Sequence, residues 1–204
     1  MRVLVTAGPT REYIDTVRFI TNASSGKMGY ACTSAAAAEG HQVTLITGPV
    51  HLAAPEGCQV VRIVSVQDLK AALHAHFASC DALLMAAAVG DFAVQDPAAT
   101  KLPRSGGPLQ IMLAPTEDLL AGLGALRRPG QVLIGFAVEE TGDEEKAYQE
   151  MVAKNCDYVV LNSPSAMGAD ASEACIISRH GIALPWARRT KGALAREIVA
   201  LLSE

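Results

Sequence analysis

Residues 22–31, NASSGKMGYA, place glycines at 26 and 29 ahead of an alanine-rich run, and what precedes them decides the fold. A dinucleotide-binding turn has G-x-G-x-x-G immediately after its first strand; here the frame is Ser24-x-Gly26-x-x-Gly29, well past the apolar run Val3–Thr6. A Walker A loop fails too, because it needs Gly where Thr21 stands and Ser or Thr where Met28 stands. What remains is a glycine loop that opens a helix, separated from the first strand by a long insert, Gly8–Ser24. Glycines at a helix start let a phosphate approach free backbone N–H groups, where the helix dipole favours negative charge. Lys27 adds a cation. A flexible turn ahead of an Ala-rich helix is the plainer alternative, and the loop alone leaves both open.

Outward from this loop, short β-branched runs alternate with Ala- and Leu-rich stretches, the pattern of a parallel α/β sheet. Val3–Thr6 reads as a buried strand, Met28–Glu39 as a helix stopped by Gly40, Gln42–Thr47 as the second strand and Val60–Val64 as the third. Ser65 caps a helix over Gln67–Phe77, Ala82–Ala86 is another strand, and Thr116 caps Glu117–Leu126. Val132–Phe136, a helix over Glu144–Lys154 and Tyr158–Asn162 complete a further β-α-β unit; Glu139, Glu140 and Asp143–Glu145 read as an acidic helix start. Ala174–Ile177 and Ile182–Leu184 suggest a hairpin, followed by a helix over Ala193–Leu202. The expected fold is a Rossmann-like, doubly wound, mostly parallel sheet with a C-terminal β-hairpin, in one domain over residues 1–204. Two long stretches, Gly8–Ser24 and Val89–Pro108, follow strands and so emerge at the carboxyl edge, where ligands bind in this architecture.

Bulk properties narrow the function. Half of the 204 residues are apolar and 4% aromatic, enough for a sizeable core of Ala, Val, Leu and Ile. A net charge of -4 argues against general affinity for nucleic acid or anionic membrane. The longest apolar run, Ala82–Val89, is too short to span a bilayer, and no basic-then-apolar leader opens the chain, so a cytoplasmic protein is expected. Five widely spaced cysteines without CxxC read as free thiols. His74 and His76 point to different helix faces and cannot share a metal.

In AAAVGDF (86–92), three alanines and a glycine leave open room beside the carboxylate of Asp91, which alone reads equally as a loop cap. Lys101, Phe136 in IGFAVEET and Asn162 in YVVLN are unremarkable singly. Together, however, TAGPTREYIDTVRFITNASSGKMGYA, AAAVGDFAV with its downstream lysine, PTEDLL, IGFAVEE and KNCDYVVLN closely resemble the phosphopantothenate–cysteine ligase family of coenzyme A biosynthesis, in order and over nearly the whole chain. In most bacteria that activity is the carboxyl half of a fusion with a flavin-dependent decarboxylase, so the chain resembles a free-standing ligase or an isolated domain.

The resemblance implies roles residue by residue. Asn22, Ala87, Ala88 and Asp91 would bind phosphopantothenate, and Arg18 would cross a homodimer to the neighbouring site. Gly8, Ser24, Gly26, Gly29, Asp91, Phe136, Asn162 and the helix start Glu117, Asp118, Leu119 and Leu120 would line the nucleotide, with Lys27 and Lys154 near its phosphates. Lys101 would sit on a loop closing over them. Mg²⁺ would accompany the nucleotide, its protein ligands unassigned. The bacterial form of the first motif implies CTP rather than ATP. Glu150 departs from the lysine usual in bacterial relatives, which touches part of the nucleotide contact and not the fold. A nicotinamide-dependent reductase predicts an acidic residue ending the second strand, where VTLITGP offers Thr47 and Gly48, and a Tyr-x-x-x-Lys that is missing. A non-catalytic nucleotide-binding regulator is opposed by Asn22, Asp91 and Lys101 occurring together.

Overall fold

Apolar runs too short to stand alone become strands by pairing with distant copies of the same pattern. The computed structural model describes residues 1–104, 107–138, 144–163 and 168–203. In chain order these form β1 (Arg2–Ala7), β2 (Arg11–Tyr13), β3 (Phe19–Thr21), α1 (Lys27–Ala38), β4 (Gln42–Thr47), β5 (Cys58–Arg62), α2 (Val66–Phe77), β6 (Ala82–Met85), β7 (Phe92–Val94) and β8 (Leu113–Pro115). There follow α3 (Leu119–Leu126), β9 (Val132–Val138), α4 (Glu144–Ala153), β10 (Tyr158–Asn162), β11 (Ala171–Ser178), β12 (Gly181–Thr190), α5 (Lys191–Ala200) and a 3-10 turn, Leu201–Ser203.

Eight strands make one sheet in the order β12-β11-β10-β9-β6-β1-β4-β5. The six from β10 to β5 pair in parallel; β11 and β12 add an antiparallel hairpin at one edge. Numbered along the chain, the parallel strands run 3-2-1-4-5-6, the order of dinucleotide-binding sheets. Strand order therefore reverses between β1 and β6. In such sheets a crevice opens outside the carboxyl ends of those two strands.

Alternation along each strand sorts the core into two layers. Val3, Val5 and Ala7 of β1 pack with Tyr30 and Ala36 of α1 and Leu194 and Ile198 of α5. Leu4, from the same strand, belongs to the other layer, with Leu69 and Leu73 of α2, Leu119 and Leu123 of α3, and Met151 of α4. Among the described residues no helix is long and apolar enough to cross a membrane.

Several boundaries differ from the sequence reading for identifiable reasons. The third strand is Cys58–Arg62, not Val60–Val64, because the N–H groups of Val64 and Ser65 are taken by the Asp68 carboxylate at 3.1 and 2.9 Å. Ser65 does cap α2, in a reciprocal capping box with Asp68. Helix α3 is capped by Asp118, whose Oδ1 accepts from Ala121 N at 3.0 Å, rather than by Thr116. Thr116 instead donates its hydroxyl to Gly90 O at 2.7 Å, because β8 pairs with β7 as far as Pro115. The first insert folds as the β2–β3 hairpin, and the second runs on to β8. The C-terminal hairpin is longer than its apolar stretches show. Glu144 and Glu145 lie in the first turn of α4, while Glu139, Glu140 and Asp143 fall outside the described residues.

Candidate functional site at the strand-order reversal

The floor of the site is built where β1 and β6 end. Ala88 N donates to Gly8 O at 2.9 Å and Thr10 N to Ala88 O at 3.2 Å, so the chain leaving β1 pairs with the chain leaving β6. Side chains reinforce the join: Ala87 N donates to Thr6 Oγ1 at 3.0 Å and Gly90 N to Thr10 Oγ1 at 2.9 Å. The backbone of residues 86–90 is thus held from below, and its three alanines fill little space above. A cleft of about 750 Å³ lies there, lined by Ala86, Ala87, Ala88 and Asp91 on this side.

The glycine loop forms the next wall. Gly26 is the residue before α1, with φ 77°, a left-handed conformation suited to glycine. A Cβ on it would lie 2.9 Å from Val50 Cγ1 and 3.4 Å from Gly8 Cα. Gly26 offers no side-chain cap; Ser24 Oγ accepts from Gly26 N at 3.3 Å and Ser25 Oγ from Lys27 N at a long 3.5 Å, contacts that an anion at the loop could replace. Ser24, Gly26 and Lys27 line the cleft; Gly8 and Gly29 do not. A Cβ on Gly29 would meet Ala7 Cβ at 2.5 Å and Thr6 O at 2.7 Å, so that glycine seats α1 against β1 beneath the loop. Lys27 Nζ donates to Gly168 O at 2.9 Å and to Asp170 at 2.6 Å, tying the loop to the chain leading into β11.

Glu117, Asp118, Leu119 and Leu120 at the start of α3, Phe136 of β9, Lys154 after α4 and Asn162 ending β10 also line the cleft. Glu117 is ion-paired with Lys70, and Asp118 with Lys154 at 3.2 Å. Asn162 Nδ2 donates to Ala137 O at 3.4 Å. Glu150 is not among the lining residues. Lys191, which the sequence reading missed, is. Burial pushes its ammonium below the usual lysine range, and the nearby Lys27 charge adds to this, so an anion at this end of the cleft would relieve both. Nothing in the run RRTK marks Lys191; α5 reaches the cleft because it packs against α1.

Residues 1–204 match the family model of the DNA/pantothenate metabolism flavoprotein C-terminal domain. The chain belongs to this family. It is 40% identical over 203 residues to a protein named cysteine/cysteine sulfinic acid decarboxylase from an unknown prokaryotic organism, which covers 97% of this chain and 56% of that one. It is 40% identical over 168 residues to the coenzyme A biosynthesis bifunctional protein CoaBC of Bacillus subtilis (strain 168), covering 82% and 41%. The crystallised C-terminal domain of a CoaBC protein matches with TM-score 0.82 at 35% identity, over 98% of this chain and 93% of that one. The chain spans about half the length of the curated relatives it matches.

In this family member the first insert supplies Asn22 to the cleft rim, where its Nδ2 donates to Val89 O at 2.9 Å. Arg18 and Lys101 stand outside the lining. Arg18, which the resemblance sends to a neighbouring copy, has two partners in its own chain, the Asp15 carboxylate and Leu102 O, the latter at 2.8 Å. Among the described residues no group of three His, Cys, Asp or Glu could hold a metal ion. The five cysteines are free and stand outside the lining, and burial pushes the Cys156 and Cys175 thiols up to about 11.

Proposed function

We propose that this chain joins 4′-phosphopantothenate to L-cysteine, using a nucleoside triphosphate, as a step of coenzyme A biosynthesis in the cytoplasm. The observation that carries the reading is the composition of one cleft. It brings the glycine-opened start of α1, Lys27 and Lys191, suited to phosphates, together with Asn22, Ala87, Ala88 and Asp91, the residues that the resemblance gives to phosphopantothenate.

In the first step the carboxylate oxygen of phosphopantothenate attacks the α-phosphorus and the α–β bridging P–O bond breaks, giving an acyl-nucleotidylate and pyrophosphate. In the second the cysteine amine attacks the acyl carbon, the nucleoside monophosphate leaves, and the amine loses a proton as the amide forms. Two anions must meet, so charge neutralisation matters more than a protein nucleophile. Lysines 27, 101, 154 and 191 and the donors of α1 supply it. Mg²⁺ carried by the triphosphate would add to it, with Asp91 as the cleft carboxylate available to the ion. Glu117 and Asp118 already face Lys70 and Lys154.

Phe136 and the backbone around Ala137 and Asn162 would face the base. A site built to pair specific donors and acceptors rejects a mismatched base strongly, and the bacterial form of the first motif favours CTP. A homodimer belongs to the same reading: Val17 and Ile20 on one insert, and Phe92 and Met112 on the other, are exposed apolar side chains. Arg18, on the first insert, would then approach the neighbouring site.

The test is pyrophosphate release in the presence of phosphopantothenate, cysteine, Mg²⁺ and each nucleotide in turn. CTP should give a higher kcat/KM than ATP, and Glu150→Lys should lower the KM for CTP without changing base choice. A preference for ATP would overturn the nucleotide assignment. Nucleotide binding without turnover would overturn the ligase, and carbon dioxide from cysteine without pyrophosphate would replace it with a decarboxylase.

A further inference from the structure

We infer that Asp15 is a positioning residue, which holds the segment carrying Lys101 against the insert carrying Asn22. Its side chain is 0% exposed, although it lies in a surface insert. Oδ1 accepts from Val17 N and Arg18 N, both at 2.8 Å. Oδ2 accepts from Nε (2.8 Å) and Nη2 of Arg18, and from Leu102 N at 3.1 Å. Arg18 Nη2 also donates to Leu102 O at 2.8 Å. Both backbone polar groups of Leu102, the residue after Lys101, are therefore held by one carboxylate–guanidinium pair.

A buried carboxylate is unfavourable unless charge and donors compensate it. Here Arg18 and three backbone N–H groups do so, and they keep the carboxyl well below its usual range, the Arg18 side chain contributing most. Past Gln95, the described residues up to Met112 form no strand or helix, and Ala98 N donating to Ile14 O at 2.9 Å is a further tie to the same turn. Asp15 does not line the cleft, so any effect it has on chemistry passes through what it holds. The inference rests on the ligase reading for the role of Lys101.

The test is a double-mutant cycle of Asp15→Asn and Lys101→Gln, read as kcat and KM for the nucleotide, alongside tryptic cleavage after Lys101 and Arg104. Asp15→Asn should lower kcat/KM about 10- to 100-fold, the usual effect of misplacing a group by about an ångström. Added to Lys101→Gln it should lower the rate no further, because both changes remove the same contribution. Tryptic cleavage of Asp15→Asn should be faster than that of Gly29→Ala, a control destabilised elsewhere. Additive losses, or cleavage no faster than in the control, overturn the inference. If Asp15→Asn does not fold, Asp15→Glu, which keeps the charge and displaces the carboxylate from Arg18 and Leu102 N, takes its place with the same criteria. A wild-type protein that releases no pyrophosphate sinks the ligase reading, and the cleavage comparison then decides the clip by itself.

Discussion

Lys101 is exposed and outside the cleft lining, and Asn22 is on the rim with its amide spent on Val89 O. The two should fail differently. Lys101→Gln removes a cation from a polar segment, so melting temperature should hold while turnover falls by about 100-fold, roughly 3 kcal/mol of transition-state stabilisation; near-normal turnover would remove its role. Asn22→Asp takes away a donor and puts a negative charge beside an anionic substrate. KM for phosphopantothenate should rise while nucleotide affinity survives, and an equal loss of both would show that Asn22 serves the nucleotide instead. Asn22 was legible because it opens a distinctive motif. Lys191 and Asp15 were not: one is a lysine in a basic run that packing sets beside Lys27, the other an acid in a loop whose tie to Leu102 crosses 87 positions.

At the scale of elements, local chemistry predicted what local chemistry controls. Ser65 and Asp68 announce the start of α2, since a capping box needs only residues three apart. The start of α3 was misplaced by two residues because Thr116 is diverted to Gly90, a partner 26 positions away. The seat of α1 on β1 is a close contact below the site, and Gly29→Ala tests it. The new methyl would meet Ala7 and the Thr6 carbonyl. Backbone gives way poorly, so stability to urea should fall by about 1–3 kcal/mol, the usual cost of overpacking. An unchanged midpoint would mean that α1 can shift outward freely.

At the scale of the molecule, the two inserts carry the exposed apolar side chains Val17, Ile20, Phe92 and Met112, which the proposed dimer would bury between copies. Wild-type protein should sediment as a dimer, and Ile20→Asp with Met112→Asp should yield monomers that keep the fold by circular dichroism. A monomeric wild type would remove the dimer.

Periodicity alone determined the alternation of strands and helices, the glycine-opened helix and the terminal hairpin, since each depends on neighbours within a few residues. Which strands lie side by side was decided only in three dimensions. Several parallel strands are near-continuous apolar runs of similar length, and nothing local distinguishes one pairing from another. The order 3-2-1-4-5-6 brings residues 6 and 87 into hydrogen-bond contact across 81 positions, and with them the floor of the cleft. Lys191 beside Lys27, and Leu102 clasped by Asp15 and Arg18, follow from the same long-range pairing, because a buried charge or backbone group takes whichever partner the folded chain brings within reach.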